Sequence, residues 1–264
     1  MLWIDGQPSE HAAPLDRGLE FGDGLFETMA VCDGRVRLLE RHLQRLQAGC
    51  AALQLPMPAV DVLKAQIAHA AATPGTAVLK LLMTRGPGGT GYGSLPDAPA
   101  RCYLVASGAR RPPSGGARVV RLASPIGQQP RLAGLKHLNR LEQVMLKRDL
   151  TALNADEGLV CDSEGRLVCG VMSNVFLSID GVLVTPALER CGIAGVMRGA
   201  LLDHLASVGA PVQVRDVALD ECARAGEIFL TNALVGIWPV IELDGAARLP
   251  GPWSRRLAAQ VSLW

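Results

Sequence analysis

The spacing of apolar positions outlines most of the secondary structure. Leu39, Leu43, Leu46, Cys50 and Leu53 recur every three or four residues, which predicts an amphipathic helix over 38–54 with one buried stripe. Val60, Leu63 and Ile67 predict a second helix over about 57–71. Residues 1–35 read as short strands joined by turns, with Asp5-Gly6 and Asp33-Gly34 as hairpin signals. Ala77 to Met83 and Arg101 to Ala106 read as buried strands. The stretch from Gly108 to Gly116, rich in Gly, Pro and Arg, has the composition of a linker.

Beyond it the pattern alternates more regularly. A strand over 117–123 leads to a loop around Lys136. A helix should then open at Asn139, with Glu142 reaching back to complete the cap and Leu141, Val144 and Met145 forming its apolar stripe. Asp162-Ser163-Glu164-Gly165 and Asp180-Gly181 mark hairpins, and a helix from Gly195 to Val208 ends at Gly209 with Pro211 beyond it. Strands near 212–217, 227–231 and 236–242 precede a terminal helix. Strands interleaved with helices on both sides of a linker imply a two-domain α+β protein. Its expected parts are an N-terminal α+β domain over 1–107, a linker over 108–116 and a C-terminal α/β domain over 117–264.

Composition narrows the function. An apolar share of 49% against 19% charged residues describes a folded chain rather than a disordered one. A net charge of +1, no basic block and 4% aromatic residues argue against a nucleic-acid surface. No apolar run is long enough to span a membrane, and the first residues lack the regions of a signal peptide, so a cytoplasmic location is expected. The seven cysteines contain no Cys-x-x-Cys pair and the five histidines are scattered; no metal is expected.

Among candidate chemistry, Lys136 stands out. It is one of four lysines against 22 arginines. A lysine amine can lose its proton and attack a carbonyl, whereas a guanidinium cannot. Its place just before a helix start favours the neutral amine. A second motif is Gly86-Pro87-Gly88-Gly89-Thr90-Gly91, a Gly-x-Gly-x-x-Gly run after a strand that would suit a dinucleotide-binding oxidoreductase. The glycines and prolines that follow leave no room for the helix such a site requires. A loop edging an active site, with Arg85 or Tyr92 reaching substrate, fits better. Gly192-Ile193-Ala194-Gly195-Val196-Met197-Arg198 is a glycine-bearing turn opening a helix, where free amides can bind phosphate. Arg45, off the stripe of its helix, and Thr231-Asn232-Ala233, at a strand end, are further polar candidates.

Taken together, these landmarks resemble the fold-type IV pyridoxal-phosphate enzymes, which include branched-chain and D-amino-acid aminotransferases and aminodeoxychorismate lyases. The likeness runs from Asp16-Arg17-Gly18 to Trp238-Pro239-Val240, with the motifs in the family's order. It implies that Lys136 carries the cofactor covalently. It also implies that Arg45, the amides of Val196 and Met197, and the Asn232-Ala233 strand end hold the cofactor phosphate. Leu132 to Val144, Asn154-Ala155-Asp156-Glu157 and the Gly88–Tyr92 loop are similar to the lyase branch. That branch splits 4-amino-4-deoxychorismate into 4-aminobenzoate and pyruvate for folate synthesis, as a homodimer. Phe26, Arg85 and Tyr92 are the expected substrate contacts, and an amino-acid aminotransferase is the alternative. One position departs from the family. Counting back seven residues from Phe176, where the family places a glutamate against the pyridine nitrogen, this chain has Cys169. A neutral thiol is a weak hydrogen-bond partner and cannot supply a carboxylate's charge.

Overall fold

A computed structural model describes residues 1–10, 16–95, 98–108 and 115–261. The chain forms two compact units, one of Met1–Arg111 with Leu135–Asn139 and the other of Pro112–Gly134 with Arg140–Trp264. Most of the expected linker, residues 109–114, lies outside the described residues.

The first unit contains β1 (Leu2–Ile4), β2 (Gln7–Ser9), α1 (Arg17–Phe21), β3 (Gly24–Cys32) and β4 (Arg35–Val36), followed by α2 (Leu39–Leu53), α3 (Val60–Ala71), β5 (Val78–Thr84) and β6 (Arg101–Ser107). Its six strands form an antiparallel sheet in the order β2-β1-β6-β5-β3-β4. Asp5-Gly6 and Asp33-Gly34 take positive φ, as tight hairpins require. The helical stripes read from sequence make the core. Leu43, Leu46 and Cys50 of α2 and Leu63 and Ile67 of α3 are buried with Leu79, Leu81, Met83 and Leu104 of the sheet. Truncating a fully enclosed member such as Leu46 to Ala should cost about 2–5 kcal/mol.

The second unit contains β7 (Ala117–Arg121), α4 (Leu141–Ala152), β8 (Glu157–Cys161), β9 (Leu167–Gly170), β10 (Asn174–Ile179), β11 (Val182–Pro186) and α5 (Val196–Ser207). These are followed by β12 (Val212–Arg215), α6 (Glu221–Arg224), β13 (Glu227–Asn232), β14 (Gly236–Leu243), β15 (Ala246–Ala247) and α7 (Pro252–Val261). A mixed sheet runs β12-β11-β10-β13-β14-β7-β8-β9, with β15 on β14. One core cluster includes Val175, Leu177, Leu230 and Val240. The rings of Phe176 and Phe229, paired across β10 and β13, stack at 5.1 Å.

The start of α4 corrects the sequence reading. Its N-cap is Arg140 and no side chain caps it. Asn139 instead donates from Nδ2 to the Gly22 carbonyl at 3.1 Å, and Glu142 accepts from the Gly127 amide at 2.7 Å. Tertiary partners took both groups from the local cap. The stripe is also rotated: Leu146 and Leu150 are buried, while Leu141, Val144 and Met145 are 74%, 51% and 58% exposed.

Candidate active site

In the first unit the candidate residues Phe26, Lys136 and Arg45 gather at the beginning of β3. The Leu135–Asn139 segment lies along that strand. The Phe26 amide donates to the Lys136 carbonyl and the Leu138 amide to the Gly24 carbonyl, each at 2.9 Å. This pairing fixes Lys136 from both sides and sets its Nζ 4.2 Å from the centre of the Phe26 ring. An aromatic face holds an ammonium without offering it a hydrogen-bond acceptor. Phe26, expected against substrate, is thus in contact with the lysine that would carry the cofactor. It also faces Lys80, whose Nζ is 5.4 Å from the ring centre.

Arg45 projects from α2 onto Glu27 of β3, giving Nε–Oε1 and Nη2–Oε2 hydrogen bonds of 2.8 and 2.5 Å. His42, one turn earlier, meets Glu27 Oε2 through Nδ1 at 2.6 Å. Burial pushes the Glu27 carboxyl up, but the bonds from His42 and Arg45 and the Arg45 charge outweigh it and hold it below its ordinary range. Arg45 is legible in the sequence as a candidate, but its pairing with Glu27, and that of His42 with the same carboxylate, is not. Glu27 lies in an alternating strand where its burial cannot be told from its type.

Arg85 is placed otherwise than expected. Its Nε donates to Asp23 at 2.7 Å, and Nη1 and Nη2 donate to the carbonyls of Gln54 and Leu53 at 2.9 and 2.7 Å. Those carbonyls end α2, where helix geometry leaves acceptors unpaired and the dipole favours a cation. Arg85 is a helix cap here. Tyr92 sits on the glycine-rich loop with 90% of its surface exposed.

In the second unit, Gly134 is laced to the turn before α5. Its amide donates to Gly192 O and its carbonyl accepts from Ala194 N, both at 3.0 Å. Asn174, buried on β10, holds the same turn: Oδ1 accepts from Gly195 N at 3.1 Å and Nδ2 donates to Ile193 O at 2.9 Å. A Cβ on Gly195 would overlap that Asn174 oxygen. Gly195 is the N-cap of α5 and no side chain caps the helix, so the amides of Val196 and Met197 open it as anion donors. Arg198, next in line, turns inward to Thr185 Oγ1 and Pro186 O at 3.3 and 3.0 Å. At the end of β13, Asn232 Oδ1 accepts from the amides of Leu234 and Val235 at 3.0 and 2.8 Å, shaping the turn that carries Ala233. The neighbouring Thr231 hydroxyl, 1% exposed, has no hydrogen-bond partner among the described residues. An uncapped helix start beside a buried unpaired hydroxyl suits a phosphate.

Cys169 lies on β9 opposite Val160. Burial pushes its thiol up to about 12, with the charge of Glu157 adding to the shift, so it is neutral at physiological pH. Glu157 is itself fully buried. Its Oε1 accepts from the Met172 amide at 2.9 Å, and Oε2 lacks a hydrogen-bond partner among the described residues. Desolvation raises this carboxyl to about 7.

The chain belongs to the amino-transferase class IV family, whose pattern matches residues 24–243. The crystal structure of 4-amino-4-deoxychorismate lyase from Pseudomonas aeruginosa is 43% identical, with a TM-score of 0.92 over 99% of this chain and 98% of that one. Aminodeoxychorismate lyase of Vibrio harveyi is 31% identical over 91% of this chain and 90% of its own length. A hypothetical aminotransferase from Mycobacterium tuberculosis in its PLP-bound form shares the fold at 22% identity, with a TM-score of 0.85 over 99% of this chain and 97% of that one. The fold is that of the fold-type IV enzymes, as the resemblance implied.

Proposed function

We propose that the protein is a pyridoxal-phosphate-dependent lyase that converts 4-amino-4-deoxychorismate to 4-aminobenzoate and pyruvate. The observation that carries this reading is the near full-length likeness to a solved lyase at 43% identity, with Lys136 held against Phe26. Pyridoxal phosphate, when bound, supplies an electron sink conjugated to the substrate nitrogen. Lys136 is assigned as the residue that carries it. Arg45, Val196, Met197, Asn232 and Ala233 are assigned to its phosphate and Cys169 to its ring nitrogen. The Lys136 amine then takes the proton from the ring carbon that bears the substrate nitrogen. The carbon–oxygen bond to the enolpyruvyl group breaks, the ring becomes aromatic, and the proton passes to the enolpyruvyl methylene to give pyruvate. Every atom of the substrate is accounted for in the two products. Phe26 and Tyr92 are assigned to substrate contact. Arg85, engaged at the end of α2, is the weaker candidate for the substrate carboxylates.

The setting proposed is folate synthesis in the cytoplasm, by a homodimer. The exposed apolar residues of α4, Leu141, Val144 and Met145, support association, which sedimentation would measure. Among the described residues, no helix is long and apolar enough to cross a membrane.

The test is incubation of the holoenzyme with 4-amino-4-deoxychorismate while 4-aminobenzoate fluorescence is followed. Product release that Lys136→Ala and Lys136→Arg both abolish is expected. Absence of product, together with amino-group exchange between an amino acid and a keto acid, would make the chain an aminotransferase instead.

A further inference from the structure

Glycine-rich loops that bind nucleotides turn their backbone N–H groups inward on an anion. The loop after β5 has the opposite polarity. Its carbonyls converge on the guanidinium of Arg17, a residue of α1 that is 4% exposed. Arg17 Nη1 donates to the carbonyls of Gly91 and Gly93 at 3.2 and 3.1 Å and, at a longer 3.5 Å, to Gly88. Nη2 donates to the Tyr92 carbonyl at 2.9 Å, and Nε to Asp23 Oδ2 at 3.1 Å. Gly88, Gly89 and Gly91 have φ of +100°, +98° and +57°, and a Cβ on Gly89 would overlap the Gly93 carbonyl oxygen. The glycines of this motif are therefore needed to curl carbonyls around a cation.

The latch is joined to the lysine segment. Asp23 also receives Arg85 Nε, its neighbour Gly22 accepts from Asn139, and Asn139 is three residues beyond Lys136. On the loop's outer side the Phe21 and Tyr92 rings meet edge to face at 5.6 Å, with the Arg17 guanidinium 4.8 Å from the centre of the Phe21 ring. The Tyr92 backbone is tied down while its phenol points outward.

We propose that Arg17 is the positioning residue of this loop: it holds the Gly88–Gly93 carbonyls so that Tyr92 is presented to the substrate, and it thereby sets substrate affinity rather than the rate of the chemical step. The latch stands on the geometry alone; its effect on substrate rests on the lyase reading above. A planar guanidinium can reach four carbonyls and a carboxylate at once, whereas an ammonium has three donors on one point.

Three measurements separate these parts. Arg17→Lys and Arg17→Gln should speed chymotrypsin cleavage after Tyr92 by about tenfold, because the tied backbone is released. The same variants should raise KM for 4-amino-4-deoxychorismate by about tenfold, with kcat within roughly twofold. Pyridoxal-phosphate affinity, read from cofactor absorbance, should not change. Gly89→Ala, which spoils the carbonyl ring and leaves Arg17 in place, should reproduce both effects if the Arg17 variants fold poorly. Unchanged cleavage in Arg17→Gln and Gly89→Ala overturns the latch. Faster cleavage with unchanged KM, or an equal loss of cofactor affinity, overturns the positioning role. If the unaltered enzyme releases no 4-aminobenzoate, the lyase reading fails, while the cleavage result still decides the latch.

Discussion

On the proposed assignment of Cys169 to the pyridine nitrogen, the chemistry there turns on charge more than on shape. A carboxylate facing the pyridine nitrogen would keep it protonated and deepen the electron sink; a thiol raised to about 12 has no charge to offer. Elimination tolerates the shallower sink, because the leaving group departs and the ring aromatises, whereas transamination needs a longer-lived carbanion. Cys169→Ala should therefore leave lyase turnover nearly intact. Cys169→Glu should gain slow transamination of simple amino acids, with lyase turnover equal or lower. A loss in Cys169→Ala on the order of a thousandfold, or ~4 kcal/mol, would show that the thiol takes a chemical part. Arg45 calls for a different measurement. A charge-assisted bond from it to a phosphate is worth ~1.5–3 kcal/mol, so Arg45→Ala should weaken pyridoxal-phosphate binding roughly ten- to a hundredfold. Absorbance titration against the apoenzyme gives the dissociation constant, and an unchanged value would take Arg45 out of the phosphate site and leave it its structural bond to Glu27. At this scale the sequence shows which residue types could do chemistry, as with a rare lysine beside a helix. It does not show which acceptor a side chain finds. Arg85 was legible as a cation on an interesting loop, but Gln54 and Leu53 are some thirty residues away in sequence and declare themselves only in the fold.

Among elements, α2 could be read almost to the residue and α3 to within three residues at its start, because strong periodicity and burial agree. The start of α4 could not, because Asn139 and Glu142 found tertiary partners stronger than the local cap. Glu157 offers a test at this scale. It sits at the start of β8 and holds the turn after β9 through the Met172 amide. Desolvation raises its pKa from an ordinary carboxylate value to about 7, with the amide bonds opposing. The folded chain then binds this proton more tightly than the unfolded chain. The contribution to stability is full below the unfolded pKa of ~4.3 and declines as pH rises to about 7, by at most roughly 4 kcal/mol. Glu157→Gln keeps an oxygen for the Met172 amide and removes the ionisation. Thermal unfolding of the variant should lose the decline in Tm between about pH 4.5 and 7 that Glu157 contributes. A parallel pH profile for the two proteins would mean that Glu157 titrates normally.

For the molecule as a whole, the α+β character was legible from alternating strand and helix patterns. The membership of Leu135–Asn139 in the first unit was not, since no periodicity marks five residues whose flanks both belong to the second. That pairing affects the order in which the protein can be made. During synthesis the first six strands leave the ribosome well before residue 139, yet the Phe26 amide and the Gly24 carbonyl have to wait for Lys136 and Leu138. A fragment ending at Arg111 would carry all three helices and the whole antiparallel sheet of the first unit, with that stretch of β3 open to water. Hydrogen exchange should find the Phe26 amide protected in the full chain and fast in the fragment, while Leu81 and Leu104 amides stay slow in both. Equal protection at Phe26 would mean the stretch closes without the lysine segment. On this topology, the nascent chain completes its first unit only when Lys136 and Leu138 arrive.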